Sequence, residues 1–178
     1  MPTFVALLRG VNVGRNVLKM ERLRALCGEL GLANARTYVQ SGNVVFQAGG
    51  SSAHWARALE QKLAGESRLA VSVIVRSAAD LSKVLGKNPF LRETGIDVAR
   101  LYVTFLERAP AKQAARALQT LASGPDSFHC VGTEIYLHCP DGYGRTKLSN
   151  TAFERLLGLK ATTRNWNTVN KLCEMATA

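Results

Sequence analysis

The apolar residues of this chain spell one order of elements twice, and few folds accommodate a repeat of strand, helix, hairpin, helix, strand and helix. Thr3–Arg9 is rich in β-formers and aliphatic residues and reads as a buried strand. Met20, Leu23, Leu26, Cys27 and Leu30 then recur at helical spacing, and Gly31 closes that helix. Arg36–Gln40 and Asn43–Gln47 are short β-rich runs on either side of Ser41-Gly42, a two-residue hairpin signal. Trp55, Leu59 and Leu63 mark a second helix, followed by a strand over Ala70–Arg76. A short helix around Asp80–Leu85 stops before Asn88-Pro89, because the residue preceding a proline is biased out of the helix.

The order then begins again. Arg100–Leu106 is a strand and Lys112–Leu121 a helix. Ser127–Val131 and Glu134–Cys139 form a hairpin with Gly132 and Thr133 at its turn, which pairs Val131 with Glu134 and Cys130 with Ile135. Thr151-x-x-Glu154 reads as a capping box opening a helix that Gly158 ends, with Ser149 as the other candidate cap. Ala161–Arg164 is a short strand, and Val169, Leu172, Cys173 and Ala176 stripe a terminal helix that Asn165 or Asn167 caps. The first five elements of each copy are the split βαβ, ferredoxin-like unit, β-α-β-β-α-β. The expected fold is therefore α+β, two ferredoxin-like halves in tandem at 1–90 and 91–178, each followed by an extra helix. Each unit is a four-stranded antiparallel sheet with helices on one face, so the other face needs a cover.

Composition excludes several classes. Apolar residues make up 47% of the chain and charged residues 20%, enough burial to offset the entropy a disordered chain keeps. No apolar run approaches the ~18–20 residues of a membrane span, and the run Phe4–Leu8 lacks the flanks of a signal peptide. No membrane partner is expected on that ground. The four cysteines show no paired spacing, which suits thiols in a reducing cytoplasm. His129-Cys130 and His138-Cys139 resemble metal ligands in one dimension only. Adjacent strand residues point to opposite faces, and Cys139 falls about 13 Å along the strand from Ile135, so no metal is expected.

Two long, glycine-containing, basic loops stand out, Arg9–Lys19 and Asp141–Asn150. Each runs from a strand end to a helix start, where free N–H groups favour an anion. Neither spells GxxxxGK[ST] or GxGxxG, so no nucleotide cofactor is implied. In a split βαβ unit the first and second strands run parallel and end at one sheet edge. That gathers Arg9, Asn12, Gln40 and Asn43, with Lys19 at the loop's end, in one polar patch. The third and fourth strands end at the opposite edge, which brings Arg145, Lys147, Arg164 and Trp166 together in a second, cationic cluster with one aromatic face. A tryptophan such as Trp166 is more often a core or cap anchor than a base-stacking platform.

Leu8-Arg9-Gly10-Val11-Asn12-Val13-Gly14, Leu18-Lys19-Met20 and Thr37–Phe46 carry a resemblance, as do Lys147–Asn150, Phe153-Glu154 and Ala161–Thr168. Together they resemble the signature of the DUF1697 family, bacterial proteins of unknown function. The resemblance implies an α+β fold of two similar halves in a cytoplasmic protein, and it brings no catalytic residues. Arg15 stands where the family usually has a second glycine, so this loop is expected to be stiffer and more cationic.

The net charge of +10 and a pI near 9.9 favour a polyanion-binding module for RNA or single-stranded DNA, using the two loops. Against it, the middle strands lack the aromatic pattern of an RNA-recognition sheet. One alternative is an enzyme or binder for a phosphorylated or carboxylated small molecule, with Asp141 and Glu154 the nearby acid–base candidates. Another is an assembly protein whose open sheet faces pair.

Overall fold

The computed structural model describes residues 1–67, 70–121 and 124–178. The elements run β1 (Thr3–Arg9), α1 (Met20–Glu29), β2 (Ala33–Thr37), β3 (Asn43–Gln47), α2 (Ser52–Ser67), β4 (Ser72–Ser77) and α3 (Ala78–Gly86). The second copy is β5 (Leu101–Leu106), α4 (Lys112–Ala117), β6 (Ser127–Val131), β7 (Glu134–His138), α5 (Asn150–Leu157), β8 (Ala161–Asn165) and α6 (Trp166–Thr177). Two four-stranded antiparallel sheets result, ordered β2-β3-β1-β4 and β6-β7-β5-β8, the topology expected of two ferredoxin-like halves. Spatially the chain divides into Met1–Ser82 with Lys171–Ala178, and Lys83–Asn170. Element order alone had put the boundary near residue 90.

In the first unit, β1 is buried at every position from Phe4 to Leu8, which is why the strand is aliphatic without alternation. Phe4, Ala6 and Leu8 face Val44 and Phe46 of β3, Val73 and Val75 of β4, and the helical stripes Leu23–Leu26–Cys27 and Leu59–Leu63. Glu60 on α2 accepts the Val73 N–H at 2.9 Å, tying helix to strand. Ser77 and Asp80 cap α3 reciprocally, the Asp80 N–H donating to Ser77 Oγ and that hydroxyl to the Asp80 carboxylate.

Two strand boundaries differ from expectation. β4 starts at Ser72, not Ala70, because its partner β1 ends at Arg9, the residue opposite Ser72. β2 spans Ala33–Thr37 rather than Arg36–Gln40, so five residues, Tyr38–Gly42, make the turn instead of Ser41-Gly42. Gly42 closes that turn at φ 81°, and there its carbonyl accepts the Leu8 N–H at 2.8 Å and a Cβ on it would lie 2.9 Å from Leu8 Cβ. Val39 takes up the reversal at φ 49°, left-handed backbone that a β-branched residue rarely adopts.

The second unit repeats the plan. Ile135, Leu137 and Cys139 meet Phe153 and Leu157 of α5 and Leu118, which follows α4 as the helix tightens into a 3-10 turn over Leu118–Leu121. On the other face Tyr136 is buried and donates its hydroxyl to the Val84 carbonyl at 2.9 Å. The β6–β7 register is the expected one, Val131 opposite Glu134 and Cys130 opposite Ile135. The capping box is not. Ser149 caps α5 by accepting the Ala152 N–H at 3.2 Å, and Glu154 instead accepts from Ala161 N, stitching α5 to β8. Gly158 ends the helix at φ 64°, as its sequence position implies.

Corresponding connections differ in length. β1 reaches α1 through Gly10–Lys19, whereas β5 reaches α4 through only Glu107–Ala111. Conversely, β3 reaches α2 through Ala48–Ser51, whereas β7 needs Cys139–Ser149 to reach α5.

Replacing Gly42 by Ala should destabilise the protein by about 2–4 kcal/mol, from left-handed strain at φ 81° plus the collision with Leu8; urea unfolding measures it. Burial pushes the thiols of Cys27 and Cys139 each from an ordinary 9.0 up to about 11. Raised folded-state values mean stability is complete below the ordinary value and is lost as pH rises toward 11. Thermal melts should therefore show the midpoint falling across that interval and flat below it.

Candidate functional site

Antiparallel pairing in the second sheet brings the start of β5, the start of β6 and the end of β7 to one edge, since Leu101 and Ser127 both stand opposite His138. The next residues outward are Arg100, Asp126 and Cys139. From there the loop Cys139–Ser149 crosses the edge, held at several points. Tyr143 packs on Tyr102 with ring centroids 5.2 Å apart, and Leu148 is buried in the core beneath. The Thr146 hydroxyl donates to Asp126 Oδ2 at 2.6 Å and accepts the Leu148 N–H at 3.1 Å. Gly142, at φ 90°, donates its N–H to the Cys139 carbonyl at 2.9 Å. A Cβ on Gly142 would come within 3.1 Å of Arg100 Nη1, so glycine lets that guanidinium lie against the loop.

The result is an open pocket of about 270 Å³ lined by Asp126, Asp141, Gly142, Arg145 and Lys147, together with Gly124 and Pro125. Arg145 and Lys147 are exposed there. Two cations face two carboxylates, one of which Thr146 already orients. Beneath it, burial holds the Cys139 thiol up at about 11; Thr146 opposes that shift and Asp126 adds to it. Such a thiol is neutral and inert at physiological pH.

The other half of the expected cationic cluster is not in the pocket. The Asn150 end of the loop does meet β8, where the Thr163 hydroxyl donates to Asn150 Oδ1 at 2.6 Å. Arg164 and Trp166, however, are only 8% and 6% exposed. Arg164 donates through Nη1 to Thr162 Oγ1 at 2.8 Å and to the Thr163 carbonyl at 2.9 Å. Burial lowers its pKa to about 10, and Tyr143 opposes that shift. Both side chains serve the interior: Arg164 shares the buried face of β8 with Thr162, and Trp166 is buried at the start of α6. Asn165 caps α6 by accepting the Thr168 N–H at 2.8 Å.

The first cluster converges as topology requires, but on itself. Asn12, at φ 56°, donates through Nδ2 to the Gln40 carbonyl at 2.6 Å and accepts the Leu18 N–H on Oδ1 at 2.8 Å. Asn43 is buried and donates through Nδ2 to the Tyr38 carbonyl and Ser41 Oγ, each at 2.9 Å. Both carboxamides thus replace missing sheet hydrogen bonds in irregular backbone. Gln40 contributes its main chain to the Asn12 contact. Arg9 closes β1 opposite Ser72, half-buried, and Lys19 is exposed at the N-cap of α1 without a side-chain capping bond.

Arg100 and Asp126 were missed from sequence. The hairpin register could have found them, since it fixes which residues sit beyond the strand starts on the edge where β7 ends.

A model of the family described as "Protein of unknown function (DUF1697)" matches residues 1–136. No curated protein matches the chain. Among solved structures, the chain is similar to the conserved bacterial protein SP0830 from Streptococcus pneumoniae, at 25% identity and a TM-score of 0.80, covering 100% of this chain and 99% of that one.

Replacing Asn12 by Ala should cost about 1–3 kcal/mol, because a backbone donor and a backbone acceptor lose their partner together. Replacing Gln40 by Ala, which keeps the carbonyl that Asn12 uses, should cost under about 0.5 kcal/mol. Chemical denaturation of the two variants separates them.

Proposed function

The chain belongs to the DUF1697 family, whose description assigns no activity, and from the site itself we propose that it binds a small ligand bearing a phosphate or carboxylate. The observation that carries this reading is the pocket of about 270 Å³ in which Arg145 and Lys147 stand together on an anchored, glycine-containing loop. The two side chains neutralise the ligand's anionic group, while Asp126 and Asp141 favour hydroxyl or amino groups on its other end. Open polar walls suit a small metabolite better than an apolar cofactor. The four cysteines are free thiols, which supports a place in the cytoplasm. No helix among the described residues is long and apolar enough to cross a membrane.

A second reading, binding of RNA or single-stranded DNA, draws on the net charge of +10. The burial of Arg164 and Trp166 removes the stacking face and one of the cations of the second cluster on which it drew.

A thermal-shift screen of phosphorylated and carboxylated metabolites should find one that, near a hundredfold over its Kd, raises the melting midpoint by about 5–10 °C. The double variant Arg145→Ala/Lys147→Ala should lose that shift and keep the unliganded midpoint, since both side chains are exposed. A shift that survives in the variant would place the ligand elsewhere. Labelled single-stranded RNA and DNA, titrated by fluorescence anisotropy at rising salt, test the second reading: affinity that vanishes by moderate salt reduces it to generic charge.

A further inference from the structure

The hydrogen bonds of the second sheet fix which backbone groups its outer edge leaves open. The Thr133 carbonyl accepts the Leu106 N–H and the Cys139 N–H donates to the Arg100 carbonyl, so Thr133, Ile135, Leu137 and Cys139 bond toward β5. Glu134, Tyr136 and His138 therefore bond toward β6, onto Val131, His129 and Ser127. Phe128 and Cys130 are left with both N–H and C=O directed away from the sheet. β6 is the last strand on that side, and none of its five residues is buried. The other edges differ. β4 and β8 are buried over most of their length, and the β2–β3 register shifts between Ala33 and Arg36, which breaks the row there.

A groove of about 430 Å³ lies at this edge, lined by the four consecutive residues Phe128–Val131 together with Ala115, Arg116, Gln119 and Pro89. Neighbouring strand residues alternate faces, so the groove reaches both faces of β6. Phe128 and Cys130 pack against the same core cluster as Ala114 of α4, while His129 meets Phe90 with ring centroids 4.9 Å apart. Arg116 is the one lining residue with a permanent charge; it is exposed and has no ion-pair partner among the described residues. Lys112, one turn earlier on α4, is exposed too. The carboxylates around β6 are placed elsewhere. Glu93 is 4.0 Å from His129 and Glu134 is buried opposite Val131, both on the His129 face, and Thr146 holds Asp126. We propose that β6 receives an extended segment of another protein as a fifth strand of this sheet, with an apolar side chain over Phe128 and Cys130 and an acidic one at Arg116. A second copy of this chain fits less well, since each copy carries a net charge of +10 and would bring its own Arg116 to the seam.

Backbone amide NMR of the full chain tests it, with the blocked heptapeptide Thr-Glu-Thr-Val-Thr-Glu-Thr as probe, whose valine and glutamates share one face when extended. The Phe128 and Cys130 amides should exchange rapidly with solvent in the free chain. Saturating peptide should slow that exchange by about tenfold or more and leave the Tyr136 amide unchanged. The counterpart with lysine for glutamate should bind about tenfold more weakly, and Arg116→Glu should reverse that preference. Cys130→Pro removes only an N–H that bonds nothing within the sheet, so it should keep the fold and abolish binding. The exchange and Arg116→Glu measurements decide the matter even if that variant unfolds. Exchange at Phe128 and Cys130 that the peptide leaves unchanged overturns the proposal, as does equal binding of the two peptides. A free chain that sediments as a dimer with those two amides already slow also overturns it, and assigns the edge to a second copy.

Discussion

A strand withdrawn from water on both faces must find protein partners for the backbone groups along both of its edges, and this requirement governs each half of the molecule. β1 is buried from Phe4 to Leu8, so it lies between β3 and β4, and β5 lies correspondingly between β7 and β8. Once the first strand of each half is central, the two helices of the split βαβ unit must return over one face. The connections are left to the sheet ends, where backbone can reach water. Length and polarity are tolerated there, and there both irregular loops occur.

The same requirement explains which polar residues were misread. In a one-dimensional sequence, an asparagine that completes the bonding of irregular backbone looks like one that awaits a ligand. Asn12 and Asn43 have that structural use. Arg164 was misread for a related reason. Strand alternation puts Thr162 and Arg164 of β8 on one face, and that face is the dry one, a choice that a run of polar residues does not reveal. Gly42 carries a turn signal and does close the turn, but its lack of a side chain also serves the approach to Leu8, which the sequence does not show. The repeat, the strand order and the β6–β7 register were legible because they follow from apolar periodicity, which burial enforces directly. The pocket was half legible. Arg145 and Lys147 lie in a loop with an evident composition, whereas Asp126 comes to the pocket, and Arg100 to Gly142 beside it, only through strand register.

The two irregular loops use their anchors differently. In Cys139–Ser149, Tyr143, Thr146 and Leu148 fasten the backbone so that charged side chains line a concave surface. In Gly10–Lys19, Val11 and Leu18 fasten the backbone to the core, and Val13, Arg15 and Val17 are left exposed. The first arrangement removes conformational freedom before any ligand arrives, which lowers the entropy lost on association.

The unequal connection lengths have a consequence of their own. Each half retains, in its counterpart, a short form of the connection that the other has elongated: Glu107–Ala111 for Gly10–Lys19, and Ala48–Ser51 for Cys139–Ser149. The duplicated architecture thus contains a minimal specification of itself. Both elaborations can be treated as grafts onto a scaffold whose strand–helix junctions also close without them, so the chain encodes the splice points at which each graft can be excised or exchanged.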